Sequence, residues 1–169
     1  INNEVELTDA YVNKYLSYCV NAPFFLVVGD EQYKGVRDKL SELGFIFVNV
    51  SGYCSDDDKL PDIDRLIEHL KADNVEAIGN RLVVVGLGEY LALRGDKIAK
   101  NVLLQLKDLN IGFKKVIILL RGVAPQIHYL QTDQRFDRRR FLILDNPNCD
   151  LSLTLVTLSV GLSASKRNN

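Results

Sequence analysis

Continuous apolar runs alternate with helical periodicity along most of the chain. Phe24–Val28 is an unbroken aromatic and β-branched run, the pattern of a strand buried on both faces. Gly29-Asp30 follows as a turn and N-cap, and Tyr33, Val36, Leu40 and Leu43 then recur at helical spacing up to Gly44. Phe45–Val50 predicts a second strand, and a polar loop runs through Ser51, Gly52 and the acidic triplet Asp56–Asp58. Pro61 is expected in the first turn of a helix whose stripe is Ile63, Leu66, Ile67 and Leu70. Arg81–Gly86 predicts the third strand, Glu89–Leu93 a short helical turn, and Asp96 the cap of a helix carrying Ile98, Ala99, Val102, Leu103, Leu106 and Leu109 up to Gly112. Val116–Leu120 and Phe141–Leu144 complete five strands, with a short helix expected over Pro125–Gln131.

Strands without alternation, joined by helices, predict an α/β fold: a three-layer sandwich around a mostly parallel five-stranded sheet. A helix over residues 8–21, with Val12, Tyr15, Leu16, Cys19 and Val20 on one face, is expected ahead of a core spanning 24–145. The alternation Leu151, Leu153, Leu155 predicts a sixth, edge strand within 151–162, and residues 163–169 form a polar tail. One domain over residues 1–162 suits a chain of 169 residues. With no methionine and Ile1 first, a segment of a longer protein is expected.

Composition narrows the function. The chain is 47% hydrophobic and 25% charged with net charge −1, so no global field draws it to nucleic acid or to an anionic membrane. No apolar run reaches the roughly 20 residues that span a bilayer. Cys19, Cys54 and Cys149 have no metal-ligand spacing, and their odd number favours a reducing, cytoplasmic setting.

In a doubly wound sheet, ligands bind beyond the carboxyl ends of the strands. The candidates there are Gly29, Asp30 and Glu31; Asn49 and Ser51; Gly86, Gly88 and Glu89; Arg121 and Gly122; and Asp145 with Asn146. Asp30, Glu89 and Asp145 could hold a divalent cation together, but each also fits a cap, first-turn or turn position, and no metal site is assigned. The order of elements is that of a P-loop nucleotide-binding core. However, Gly29-Asp30-Glu31-Gln32-Tyr33-Lys34-Gly35-Val36 has no Gly-Lys-Ser/Thr, and its two acids would meet a phosphate at the helix N-terminus. Gly86-Leu87-Gly88 lacks the third glycine of a dinucleotide fingerprint. His69 is expected to face solvent. Neither it nor His128 has a nucleophile at recognisable spacing, so no catalytic residues are assigned and enzyme activity within the segment is not expected.

Arg135-Phe136-Asp137-Arg138-Arg139 is similar to the arginine-bearing segment of AAA+ ATPases between the fourth and fifth strands. That resemblance implies a degenerate, non-hydrolysing core. In that reading Asp30, Lys34, Glu89 and Arg121 would contact ATP with magnesium. Arg135, Arg138, Arg139 and Arg140, with Arg121, Lys114 or Lys115 near them, would contact an anion or partner. A second resemblance rests on Val27-Val28-Gly29-Asp30, on Leu82–Val85 with its Gly-Leu-Gly-Glu continuation, and on Lys115–Gly122. These segments resemble the amino-terminal α/β region of PglZ-type proteins of bacterial phage-defence (BREX) systems. It implies a non-catalytic domain that contacts the rest of its own polypeptide and other protein subunits. Together the readings favour a non-catalytic interaction or regulatory domain, needing no cofactor, of a larger bacterial protein. The alternative is a degenerate nucleotide-binding module; nucleic acid is a weaker candidate partner and a membrane is not expected.

Overall fold

The structure is a computed structural model that describes residues 21–55, 58–61, 63–71, 80–121, 132–136 and 141–144. Its elements are β1 (Phe24–Val28), α1 (Asp30–Glu42), β2 (Ile46–Asn49), a 3-10 turn (Val50–Tyr53), β3 (Cys54–Ser55), β4 (Asp58–Pro61) and α2 (Ile63–Leu70). They continue with β5 (Arg81–Val85), α3 (Leu87–Ala92), α4 (Asp96–Lys107), β6 (Lys115–Arg121) and β7 (Phe141–Leu144). Five strands form one sheet in the order β2-β5-β6-β1-β7, and every pairing in it is parallel. This is the expected α/β fold.

The alternation hidden in the apolar runs becomes visible through the two cores. Phe25 and Val27 join Val84, Ile118 and Leu120 in a cluster closed by Leu66 and Leu70 of α2, Leu87 and Leu91 of α3, and Leu103 and Leu106 of α4. Phe24, Leu26 and Val28 face the other way and join Val83, Val85, Ile117 and Leu119 under Val36 and Leu40 of α1. Both faces of the sheet are therefore apolar, which is why its strands read as runs rather than as alternations. Burying one such side chain contributes about 1.5 to 3 kcal/mol.

The chain corrects several sequence expectations by one residue or by one element. The N-caps of α1 and α4 are Gly29 and Gly95, both in extended conformation, so Asp30 and Asp96 open the helices as their first residues instead of capping them. Val50 leaves the second strand for the 3-10 turn, and Gly86 leaves the third to become the left-handed N-cap of α3. Pro61 closes β4 of a two-stranded antiparallel hairpin with β3, where a loop and a helix start were expected. Ile98 is 49% exposed and stands outside the stripe of α4, which ends at Lys107, five residues before Gly112. His69 is half-buried: its Nδ1 lies 3.2 Å from the Tyr53 hydroxyl, with the rings edge to face at 5.1 Å. Burial of Tyr53 raises its pKa, an effect that Arg65 opposes.

Two cations at the amino ends of strands hold helix ends. Arg81, at the start of β5, donates to the Leu43 carbonyl at 2.8 Å, just past α1. Lys114, just before β6, is 1% exposed, and its Nζ donates to the carbonyls of His69 and Lys71 at 3.2 and 2.5 Å. Lys114 is therefore a structural cap on α2 and not the surface anion ligand that its place beside Lys115 suggests. The expected helices over 8–21 and Pro125–Gln131, the edge strand over 151–162 and the tail 163–169 lie outside the described residues, as do Cys19, Cys149, Gly122, His128, Asp145 and Asn146.

Candidate functional site

The strand order reverses between β1 and β6, since β1 leads across the sheet to β2 while β6 leads the opposite way, past β1, to β7. Such a switch point is where α/β sheets open a ligand crevice. Here an ion pair bridges it. Arg121 at the end of β6 donates Nε–H to Asp30 Oδ1 at 2.9 Å, and its guanidinium lies 4.7 Å from the centre of the Tyr33 ring. The Asp30 hydrogen bond raises the pKa of Arg121; partial desolvation opposes it, and the charges of Asp30 and Glu89 reinforce it. Asp30, Glu89 and Arg121, candidates from the sequence, are thus brought together. Lys34 is exposed on α1, and among the described residues no hydrogen bond or ion pair joins it to them.

Beside this cluster a crevice of about 440 Å³ opens at the carboxyl ends of β2 and β5, between α1 and α3. Tyr33 and Arg37 line it from α1, and Glu89 and Tyr90 from α3, with Leu93 and Arg94 following. Its floor is Asn49, Val50, Ser51, Val85 and Gly86. Asn49 is fixed there because its Oδ1 accepts from the Ser51 amide at 3.0 Å and the Ser51 hydroxyl at 2.9 Å. Arg37 stacks on Phe47 and Arg94 on Tyr90, each with the guanidinium carbon 5.1 Å from the ring centre. Arg94 Nε is shielded from solvent and has no hydrogen-bond partner among the described residues.

A family model described as a domain of unknown function, DUF7864, matches residues 10–166. The chain belongs to the DUF7864 family. No curated protein and no solved structure matches it. The DUF7864 match covers the whole five-stranded sheet, the switch-point cluster and the crevice.

The remaining sequence candidate on the described surface of this DUF7864 chain is Arg135. Its Nε and Nη2 reach Asp133 at 3.1 and 2.8 Å, its amide reaches the same carboxylate at 3.0 Å, and Lys100 of α4 pairs with Asp133 at 2.8 Å. Arg138, Arg139 and Arg140 lie outside the described residues. The Arg135 and Lys100 hydrogen bonds hold the Asp133 carboxyl well below the usual carboxylate range. A carboxyl whose pKa is lowered by folding stabilises the fold fully above its unfolded pKa of about 3.9, and that stabilisation is lost as pH falls below it. Urea midpoints recorded down to pH 2 should therefore fall less steeply in Asp133→Asn than in the parent, with the gap between the two curves full above about pH 4 and closing as pH falls below it.

Arg37, Arg94 and the two tyrosines were not singled out from the sequence. A signal existed, since Tyr33-x-x-x-Arg37 and Tyr90-x-x-x-Arg94 repeat one spacing after two different strands. Among the described residues, no group of His, Cys, Asp and Glu is placed to hold a metal ion, and no helix is long and apolar enough to cross a membrane.

Proposed function

We propose that this chain is a non-catalytic interaction or regulatory domain of a larger protein, which meets its partner with the carboxyl end of the sheet. The observation that carries the reading is the Asp30–Arg121 pair across the switch point. In a phosphate-binding α/β core the first helix turns free amides and a lysine toward the ligand there. In this chain that place holds a carboxylate already engaged by a guanidinium. The partner is protein: the rest of its own polypeptide or other subunits, in the cytoplasm. The bacterial phage-defence setting belongs to the same proposal and is supported by the PglZ-type resemblance.

One observation favours a second reading, a degenerate nucleotide-binding module. The switch point of a fully parallel sheet is where such folds bind nucleotides, and Glu89 and Arg121 stand at it, with Lys34 on the adjoining helix. Thermal melts of the chain with saturating ATP and magnesium separate the two. A ligand present at about 100 times its dissociation constant stabilises by roughly 2.7 kcal/mol. The interaction reading expects no ATP turnover and no rise in the melt that depends on Arg121. A rise that disappears in Arg121→Ala would establish the nucleotide reading in its place.

A further inference from the structure

We propose that the crevice between α1 and α3 binds a small ligand composed of a flat ring and a phosphate group. This site lies beside the switch-point pair and does not depend on whether the sheet end contacts a partner protein.

The volume of about 440 Å³ falls in the range of small-molecule sites, roughly 300 to 1,000 Å³. Its walls combine apolar surface from Val50, Val85 and Leu93 with two tyrosines, which suits a flat ring. Its charged side chains are Arg37, Arg94 and Glu89. Neither Arg37 nor Arg94 has an ion-pair partner among the described residues, in contrast to Arg121 and Arg135. Each guanidinium instead lies over an aromatic ring. Such stacking orients the guanidinium and leaves its in-plane N–H donors for another group.

Arg94 gives the most specific indication. Its Nε is withdrawn from water without an acceptor among the described residues, which is unfavourable, and a shift of the side chain toward an anion in the crevice would relieve it. Arg37 approaches from α1 and Arg94 from just past the end of α3, so a group serving both must offer several acceptor oxygens in different directions. A phosphate does so, and charge-assisted arginine–phosphate bonds are among the stronger ones available. Glu89 on the same wall leaves one net positive charge for the anion to meet.

Phenyl phosphate is the direct probe, titrated into the full chain and followed by the tyrosine ring resonances, with inorganic phosphate and phenol in parallel. Saturable shifts confined to the crevice are expected, with phenyl phosphate binding more tightly than either fragment. Arg37→Gln and Arg94→Gln should each weaken binding by about tenfold or more, while Lys107→Gln, on an exposed pair with Asp108, should bind as the parent does. Arg37 is exposed, so its variant tests the site even if Arg94→Gln fails to fold. The proposal is overturned by an absence of shifts at millimolar phenyl phosphate, by shifts that persist in the Arg37→Gln and Arg94→Gln double variant, or by inorganic phosphate binding as tightly as the aryl ester. Binding lost in Arg121→Gln but retained in both crevice variants also overturns it, because the ligand would then sit at the switch point.

Discussion

Gly86→Ala is expected to cost about 3 kcal/mol of folding stability, the sum of two separable penalties. Gly86 has φ +84, the left-handed region, which a side chain disfavours by about 1 to 2 kcal/mol. A Cβ there would also stand 2.8 Å from Asn49 Oδ1. That oxygen cannot simply rotate away, because it accepts from both the amide and the hydroxyl of Ser51, bonds worth about 0.5 to 1.5 kcal/mol each. Gly44 provides the control. It has φ +86, but nothing lies within 4 Å of the place a Cβ would occupy, so Gly44→Ala should show the conformational penalty alone. Urea midpoints at constant m give both numbers. In the cycle with Asn49→Ala, the pair should be less destabilised than the sum of the single variants by about 1 kcal/mol, since removing Asn49 relieves the clash. Equal losses at Gly44 and Gly86 would show that the Asn49 contact gives way freely. Because Asn49 and Gly86 both line the floor of the crevice, the same variants should alter its shape at the end of β5.

The features legible in the sequence were those set by local backbone chemistry and by apolar pattern. Runs such as Phe24–Val28 and Val116–Leu120 identified strands because burial on both faces removes the need for alternation. Gly44 marked the end of α1 for a local reason, its left-handed backbone. The N-caps were misread by one position because an aspartate in the first turn and one at the cap both favour the helix dipole, and only the backbone shows that Gly29 and Gly95 are the extended residues. The β3–β4 hairpin was missed because it is short, acidic and closed by Pro61, with no apolar period to announce it. The site divides in the same manner. Asp30, Glu89 and Arg121 could be named because strand ends are positions in sequence, whereas their engagement with one another across 91 residues is set by sheet order. Arg37 and Arg94 required knowledge of which two helices flank one crevice.

Lys114 shows why a cation's role cannot be read from its neighbours in sequence, and replacing it is the second large effect expected. Beside Lys115 it has the pattern of a basic surface pair, yet it is almost wholly buried. The last carbonyls of a helix have no intrahelical donor and carry the negative end of its dipole. Lys114 Nζ meets that requirement at the end of α2, through the carbonyls of His69 and Lys71. Lys114→Met preserves the length of the side chain and removes the donor. Two opposing effects then follow: relief of the cost of burying an ammonium, and loss of a charged donor from carbonyls that the fold has withdrawn from water. Hydrogen bonds to charged groups contribute about 1.5 to 3 kcal/mol, and an acceptor left unsatisfied costs about 1 to 3 kcal/mol. Two carbonyls lose their donor against one ammonium relieved, so the loss wins and Lys114→Met should destabilise by about 2 kcal/mol. Lys114→Arg should not restore stability, because a planar guanidinium presents its donors in a fork while a compact ammonium can turn to both carbonyls. Lys115→Met, at the half-exposed start of β6, should be milder than Lys114→Met. Parallel urea titrations of the three variants decide the matter: a stability for Lys114→Met equal to the parent's would mean that water replaces the ammonium at the end of α2.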